Sequence, residues 1–310
     1  MPIPSDARPR ADGGASSRRL VSIVIPTYNR AHMVCDAIDA CLAQSHRPLE
    51  VIVVNDGSQD DTAKVLERYQ GDGKVRVFHK ANEGIADTLN FGFARSRGRY
   101  VSWTSDDNYY YPKALETMAD YLDAHPDVGM VYADVQEIDA DGRPVRVVNT
   151  GEPELLETRC TVRGCLLYRR EVMKAVGGYR RRWVRCQDFD YYHRIYRRFK
   201  VARIPEVLYA YRCHEASMSG DHRAHVTEHA RLLSTYAADS AGRRAAWAWA
   251  FAELARQETK RGRPWRTFYY HLRAALCQPY RARALRPALW AAGYSTLPEP
   301  LKRLWRRAKR

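Results

Sequence analysis

The chain has 310 residues, of which 45% are hydrophobic, 11% aromatic and 28% charged, enough apolar material for a core and too much for wholesale disorder. The net charge of +15 is uneven. Residues 221–310 hold 19 Lys/Arg against 6 Asp/Glu, whereas residues 1–220 hold 32 against 30, so a near-neutral domain precedes a basic C-terminal third that suggests an anionic partner. Seven scattered cysteines without a CxxC argue against a disulfide framework or a zinc cluster and fit a reducing, cytoplasmic compartment. No run of 18 apolar residues predicts a membrane span. Residues 1–19 lack the apolar segment of a secretory signal and read as a disordered leader.

In chain order, VSIVI (21–25), bounded by Pro26, predicts a buried strand. Residues 31–44 place Met33, Ala37, Ile38, Cys41 and Leu42 at helical spacing. VIVV (51–54) is a second strand that runs into the turn residues Asn55, Asp56, Gly57 and Ser58. A helix over 60–70, a strand over 74–79, a helix over 84–97, the strand YVSW (100–103), a helix over 112–124 and the strand VGMVYADV (128–135) follow. This alternation predicts an α/β fold with a mostly parallel central sheet and helices on both faces. Beyond residue 135 the pattern weakens: 136–158 reads as a polar excursion, 160–169 as a strand and 188–199 as a helix. Residues 221–310 form a separate helical section, with WAWAFAELA (247–255) as a short buried or interfacial helix. Leu301, Leu304 and Trp305 beside Lys302, Arg303, Arg306 and Arg307 fit a basic amphipathic helix on anionic lipid, or a helix packed on the main domain with a solvated basic face.

Ligands of a parallel sheet bind beyond the carboxyl ends of its strands, and these ends carry the unusual residues. Asp106-Asp107 follow the fourth strand. Two adjacent carboxylates there suit Mg²⁺ or Mn²⁺ with substrate phosphates as further ligands, and the alternative is a cap for the next helix. Asp56 ends the second strand, either as an acceptor for a base or ribose hydroxyl or as an Asx-turn. Tyr28 is a flat face for a nucleobase or an ordinary surface aromatic. Asp188 opens a helix, as a general base or as its N-cap; Asp190, two residues on, points elsewhere.

VSIVIPTYNR (21–30), VIVVNDGSQDDT (51–62), NEGIADTLNFGFARSRGRY (82–100), SDDNYYYP (105–112) and QDFDYYHRI (187–195), in this order, resemble glycosyltransferase family 2 over roughly residues 20–220. The resemblance implies a GT-A fold (a Rossmann-like nucleotide-diphospho-sugar transferase) over 20–220 and inverting sugar transfer. It places Pro26, Thr27, Tyr28, Arg30, Asp56, Asn82, Gly84, Ser105 and Asp106 at the nucleotide, with Tyr28 stacking on the base. Asn90 lies in the helix beneath. Asp107 would ligate Mn²⁺ or Mg²⁺, with His214 as a further ligand and Arg212 near the pyrophosphate. Asp188 would be the base that deprotonates the acceptor. Two departures stand out: Thr104-Ser105 precede Asp106-Asp107 where many members read Asp-x-Asp-Asp, and Gln187 replaces the commoner Glu beside the base, which favours Asp188 itself as proton acceptor.

The implied partners are a nucleotide-sugar donor, UDP favoured, and a saccharide or lipid-linked acceptor in bacterial surface polysaccharide synthesis, lipopolysaccharide among them. The enzyme would work in the cytoplasm, at the inner membrane face through its basic C-terminal region, and a homodimer through the C-terminal helices is left open. Nucleic acid is disfavoured because no binding module is visible. A nicotinamide enzyme is disfavoured because no GxGxxG follows the first strand. A nucleotide-sugar binder without turnover is opposed by Asp56, Asp107 and Asp188.

Overall fold

Hydrophobic runs too short for helices and bounded by polar turns fold here as strands buried on both faces. The computed structural model describes residues 19–213 and 221–277. The first 18 residues, His214 and the segment 301–307 lie outside them. The chain divides into two units, residues 1–215 and 216–310.

In the first unit the order is β1 (Val21–Thr27), α1 (Val34–Leu42), β2 (Leu49–Asp56), α2 (Thr62–Leu66), β3 (Val75–Lys80), α3 (Ile85–Arg95), β4 (Tyr100–Trp103), β5 (Tyr109–Tyr110), α4 (Ala114–Ala124), β6 (Val128–Ile138), β7 (Pro144–Val148), β8 (Leu166–Arg169), α5 (Arg170–Val176), α6 (Gln187–Tyr196) and β9 (Lys200–Arg212). The strands form one sheet in the order β3-β2-β1-β4-β8-β6-β9-β5, with β7 paired to β6. Strands β3, β2, β1 and β4 are mutually parallel, as the alternation predicts. Strand β8 joins antiparallel between β4 and β6, and β9 runs parallel to β6.

Every residue of β1, β2 and β4 is buried. Ile23, Ile25, Val51 and Val53 enter one core layer with α1 and α4. Val24, Ile52 and Val54 enter the other, with α3, α5 and α6. Successive side chains of a strand point to opposite faces, so uninterrupted apolar runs fill both layers.

The sequence pattern differs from the fold mainly after residue 135. The polar stretch 136–158 contains the end of β6, the exposed strand β7 and a 3₁₀ turn over Pro153–Glu157. The strand expected over 160–169 is confined to 166–169, because Gly164 adopts φ +83°, a left-handed conformation that breaks a strand. Strand β9, which carries much of the site described below, had no sequence counterpart.

The second unit contains α7 (His222–Tyr236), α8 (Ser240–Lys260) and α9 (Pro264–Cys277). The nine-residue WAWAFAELA segment lies inside the 21-residue helix α8. No helix among the described residues is long and apolar enough to cross a membrane.

Helix α3 approaches the sheet at Gly92, where an added Cβ would lie 2.4 Å from Val24 Cγ1. Gly92→Val is expected to cost about 2–3 kcal/mol through overpacking, read as a lower urea midpoint at unchanged slope. A midpoint at or above wild type would show that the helix can lift off the sheet freely.

Candidate active site

The carboxyl ends of β1, β2 and β4 lie side by side because these strands are parallel and adjacent. The turn after β1 is tied to the turn after β2. Asn29 N donates to Ser58 Oγ (2.9 Å), Gln59 N to Asn29 Oδ1 (2.8 Å) and Arg30 N to Thr62 Oγ1 (3.0 Å). Asn29 sits at φ +54°, a conformation asparagine tolerates better than most residues. The turn leaves Tyr28 45% exposed above buried Pro26 and Thr27, so the ring offers an open face at the rim.

Asp56 is buried at the end of β2. Its carboxylate accepts from Lys80 Nζ (2.5 Å) and from the amides of Glu83 (3.0 Å) and Gly84 (2.9 Å). Burial acts to raise its pKa, but Lys80, the Glu83 amide and Thr88 outweigh it and hold the group below the ordinary carboxylate value. Asp56 thus draws the loop bearing Asn82 and Gly84 across the end of β2. Gly57 permits that crossing: at φ +74°, a Cβ there would meet the Asn82 amide at 2.7 Å. Lys80 escaped the sequence reading. It lies opposite Asp56 in the β2–β3 ladder, and strand register is not written in the local sequence.

Beyond β4 the chain turns through Ser105, Asp106, Asp107 and Asn108. Asp106 is 7% exposed, and burial, then the neighbouring Asp107 charge, push its pKa up to about 7 against opposing effects of Thr27 and Arg30. Asp106 therefore lies beside Thr27 and Arg30 of the β1 end. The helix α4 begins at Ala114, with Lys113 as its cap residue, so neither aspartate caps it.

Strand β9 fixes this acidic turn from the other side. Arg212 N donates to Asn108 Oδ1 (2.7 Å), Arg212 Nε to Asp107 O (3.0 Å) and its guanidinium to Ala140 O (2.6 Å). The side chain of Arg212 thus clamps the backbone carbonyls of Asp107 and Ala140. Thr104 Oγ1 meets the Tyr209 hydroxyl at 2.6 Å.

Asp188 lies in the first turn of α6, whose cap residue is Cys186, so it is not the cap. It is partly exposed and accepts from its neighbour's amide, Phe189 N, at 2.7 Å. Asp190 is fully buried and paired with Arg180 (3.4 Å) and Arg194 (2.9 Å), pointing away as expected. Two further ties hold α6 in place. Trp103 Nε1, one residue before Thr104, donates to the Tyr192 hydroxyl (3.0 Å), and Asn90 bridges the backbone of Tyr179 with both amide atoms (2.7 and 2.9 Å).

Tyr211, near the end of β9, carries a partly buried phenol. Burial pushes its pKa up to about 12; Arg163 acts in the opposite sense, and both Asp107 and Asp188 add to the rise. Arg163 stacks over that ring (5.8 Å) and donates to buried Glu137 (2.9 Å). Among the described residues the acidic turn offers only hard oxygen donors, and one of its carboxylates is strained by burial and a like charge. That donor set fits Mg²⁺ or Mn²⁺.

A family model described as Glycosyl transferase family 2 matches residues 22–199, more than half of the chain. An uncharacterized glycosyltransferase of Rickettsia bellii is 34% identical over 230 residues, covering 70% of this chain and 33% of that protein. Another, from Rickettsia typhi, is 32% identical over 229 residues, covering 70% and 71%. The chain spans about a third of the length of the first Rickettsia relatives it matches. Among solved structures, S. aureus TarS 1–349 in complex with UDP-GlcNAc superposes with a TM-score of 0.60 at 18% identity, covering 92% of this chain and 83% of that one. The mannosyltransferase PcManGT from Pyrobaculum calidifontis, in complex with GDP-Man and Mn²⁺, gives 0.55 at 20% identity, covering 93% and 79%. At such identities these structures establish a shared GT-A fold.

The environment of Asp106 has a consequence for stability. Its native pKa of about 7 lies above the ordinary 3.8, so the native state holds a proton that the unfolded chain has released across that window. Stability therefore falls as pH rises through it, and the full penalty stands above it. Asp106→Asn is expected to stabilise the metal-free protein by up to about 4 kcal/mol near pH 8, the gap closing toward pH 4 in thermal or urea unfolding. A variant no more stable than wild type near pH 8 would contradict the burial of a strained carboxylate.

Proposed function

The chain belongs to glycosyltransferase family 2, and on that premise we propose that it transfers a hexosyl or N-acetylhexosaminyl group from a nucleotide-diphosphate sugar to a hydroxyl of a saccharide or lipid-linked acceptor, with inversion at the anomeric carbon. The observation that carries this reading is that β1, β2 and β4 are adjacent and parallel, so that their carboxyl ends bring Tyr28, Asp56 and the Asp106–Asp107 turn to one rim. A donor bound along the β1, β2 and β4 ends would have its diphosphate at Asp107 and its sugar toward Asp188.

In this reading Tyr28 stacks on the base and Asp56 with its loop, Asn82 and Gly84, frames the nucleoside. Pro26, Thr27, Arg30, Ser105 and Asp106 line the ribose and diphosphate. Asp107 holds Mn²⁺ or Mg²⁺, and the ion, when bound, offsets charge on the departing diphosphate. His214 as a second ligand remains part of the proposal. Asp188 takes the proton of the acceptor hydroxyl as that oxygen attacks the anomeric carbon. A single displacement inverts that carbon, and NMR of the product distinguishes this from retention. UDP is the favoured nucleotide; TarS is described with UDP-GlcNAc and PcManGT with GDP-Man, which supports both UDP and GDP as first probes. Bacterial surface polysaccharide is the proposed destination, and the basic C-terminal region the proposed contact with an anionic membrane.

Calorimetric titration with UDP in Mn²⁺, then in EDTA, tests the nucleotide and metal site. Binding is expected to require the ion and to be lost in Asp107→Ala. Metal-independent binding that survives the substitution would remove Asp107 as ligand.

Asp188→Asn is expected to lower the transfer rate by about 10²–10⁴-fold, the range for a positioned general base, with UDP affinity within about twofold of wild type. Loss of nucleotide binding in step with activity would make Asp188 a structural residue instead.

A further inference from the structure

The helical second unit carries a cavity that the sugar-transfer reading does not use. It is an open pocket of about 460 Å³ lined by Trp247, Phe251, Ser240, Arg243, Arg244 and Arg273. The two aromatic rings belong to the unit's small core, packed against Val226, Ala230, Ala250 and Leu254. Arg273 lies over the Phe251 ring (4.8 Å) and donates to the Tyr269 hydroxyl (3.0 Å). Its guanidinium is therefore held at the cavity by its stem and rings.

The charges around this cavity are unbalanced. Residues 221–277 contain ten Lys/Arg and five Asp/Glu. Glu253 meets Arg256, and Glu258 meets Arg261, Arg263 and Arg266. Asp221 and Asp239 accept from the first-turn amides of α7 and α8. Among the described residues, none of Arg243, Arg244 and Arg273 meets a carboxylate. Among the described residues, three arginines that meet no carboxylate thus line a pocket together with Trp247 and Phe251.

Next to the cavity, α9 exposes apolar side chains along one face. Trp265, Tyr269 and Leu276 are 66%, 49% and 67% exposed, and their spacing of four and seven residues keeps them on one side of the helix. Arg273 touches Tyr269 and so joins this stripe to the cavity. Exposed Trp, Tyr and Leu flanked by arginines is the composition of a helix that lies in a lipid headgroup layer.

We propose that this face of the second unit binds an anionic membrane surface, with lipid phosphates on Arg243, Arg244 and Arg273, acyl chains against Trp247 and Phe251, and the Trp265–Tyr269–Leu276 stripe in the headgroup boundary. Charge complementarity selects this occupant. A second copy of the chain would bring the same unmatched arginines to the contact. Residues 278–310 of this chain hold nine Lys/Arg and one Glu, which adds to the positive charge an anionic surface would meet. The inference refines the proposed membrane contact by assigning it to α8 and α9, and it holds whatever the donor and acceptor are.

The test is co-sedimentation of the full chain with vesicles of phosphatidylglycerol in phosphatidylcholine, against phosphatidylcholine alone. Wild type is expected to pellet with the anionic vesicles only, and less at high salt. Arg243→Gln/Arg244→Gln/Arg273→Gln is expected to weaken binding about 100-fold, roughly fivefold per arginine at an anionic surface. Trp265→Ser/Leu276→Ser, which alters only exposed side chains, is expected to weaken it while leaving the sedimentation coefficient unchanged. UDP calorimetry on the same samples separates this result from the fate of the sugar-transfer reading. Binding by the arginine variant within about twofold of wild type overturns the proposal. So does a dimer that the serine variant dissociates while vesicle binding stays intact.

Discussion

Two carboxylates in succession, Asp106 and Asp107, follow a strand that is buried on both faces, and the surrounding architecture answers to the cost of keeping them there. Bringing a carboxylate to such a position disfavours its charge, and a second carboxylate beside it disfavours it further. Asp106 registers both effects. A free loop would relax by swinging the pair into water. Here Arg212 prevents that, by binding the carbonyl of Asp107 and the side chain of Asn108 together. The Thr104–Tyr209 and Trp103–Tyr192 hydrogen bonds fix the strand end that leads into the turn. The acidic turn is thus held in place by donors directed at the carbonyl of Asp107 and the side chain of Asn108.

Strand β9 makes this possible. It pairs along almost the whole of β6 and also carries β5 on its other edge. Its last four residues place Tyr209 at Thr104 and Arg212 on the acidic turn. Because β9 is bonded on both sides, its end is stiff, and a stiff end can fix a turn that lies about a hundred residues earlier in sequence. The aromatic layer behind α6 works in the same direction. Tyr179 stacks on Tyr191 (4.1 Å between centroids, 8° between planes), and Phe93 stacks on Tyr179, so α3 and α6 meet through rings rather than through deformable aliphatic chains. Asp188 is thereby carried on a helix that has little freedom to shift against the sheet.

The parts of this arrangement that were legible in the sequence are those with local signals. The alternation of apolar runs and helical periodicities identified the parallel half of the sheet, and the polar strand ends pointed to the rim where Asp56, Asp106 and Asp107 lie. Five motifs in order pointed to the family. The less legible parts depend on pairing between distant segments. Lys80 opposite Asp56 is a matter of register. Tyr211 and Arg212 matter because β9 lies beside β6, and nothing between 197 and 212 announces that neighbour. Gly164 ends an otherwise convincing strand because of a single backbone angle. The motif placed Arg212 near the site, but the carbonyls it holds lie in two turns, 105 and 72 residues earlier.

The two units differ in how they use charge. In the first, arginines near the site have defined partners: Arg163 and Arg146 on Glu137, Arg194 and Arg180 on Asp190, Arg181 on Asp87, Arg212 on carbonyls. Such groups fix geometry and contribute little field beyond their neighbours. In the second, three arginines share Glu258, and three more line an aromatic pocket where, among the described residues, they meet no acid. Either sign of charge keeps a surface soluble, and acidic groups do so better than basic ones. Solubility therefore does not account for a net +13 over the last 90 residues. A field of one sign above exposed Trp, Tyr and Leu does have a physical use. It draws an anionic surface to within a Debye length, where the apolar side chains can take over from electrostatics.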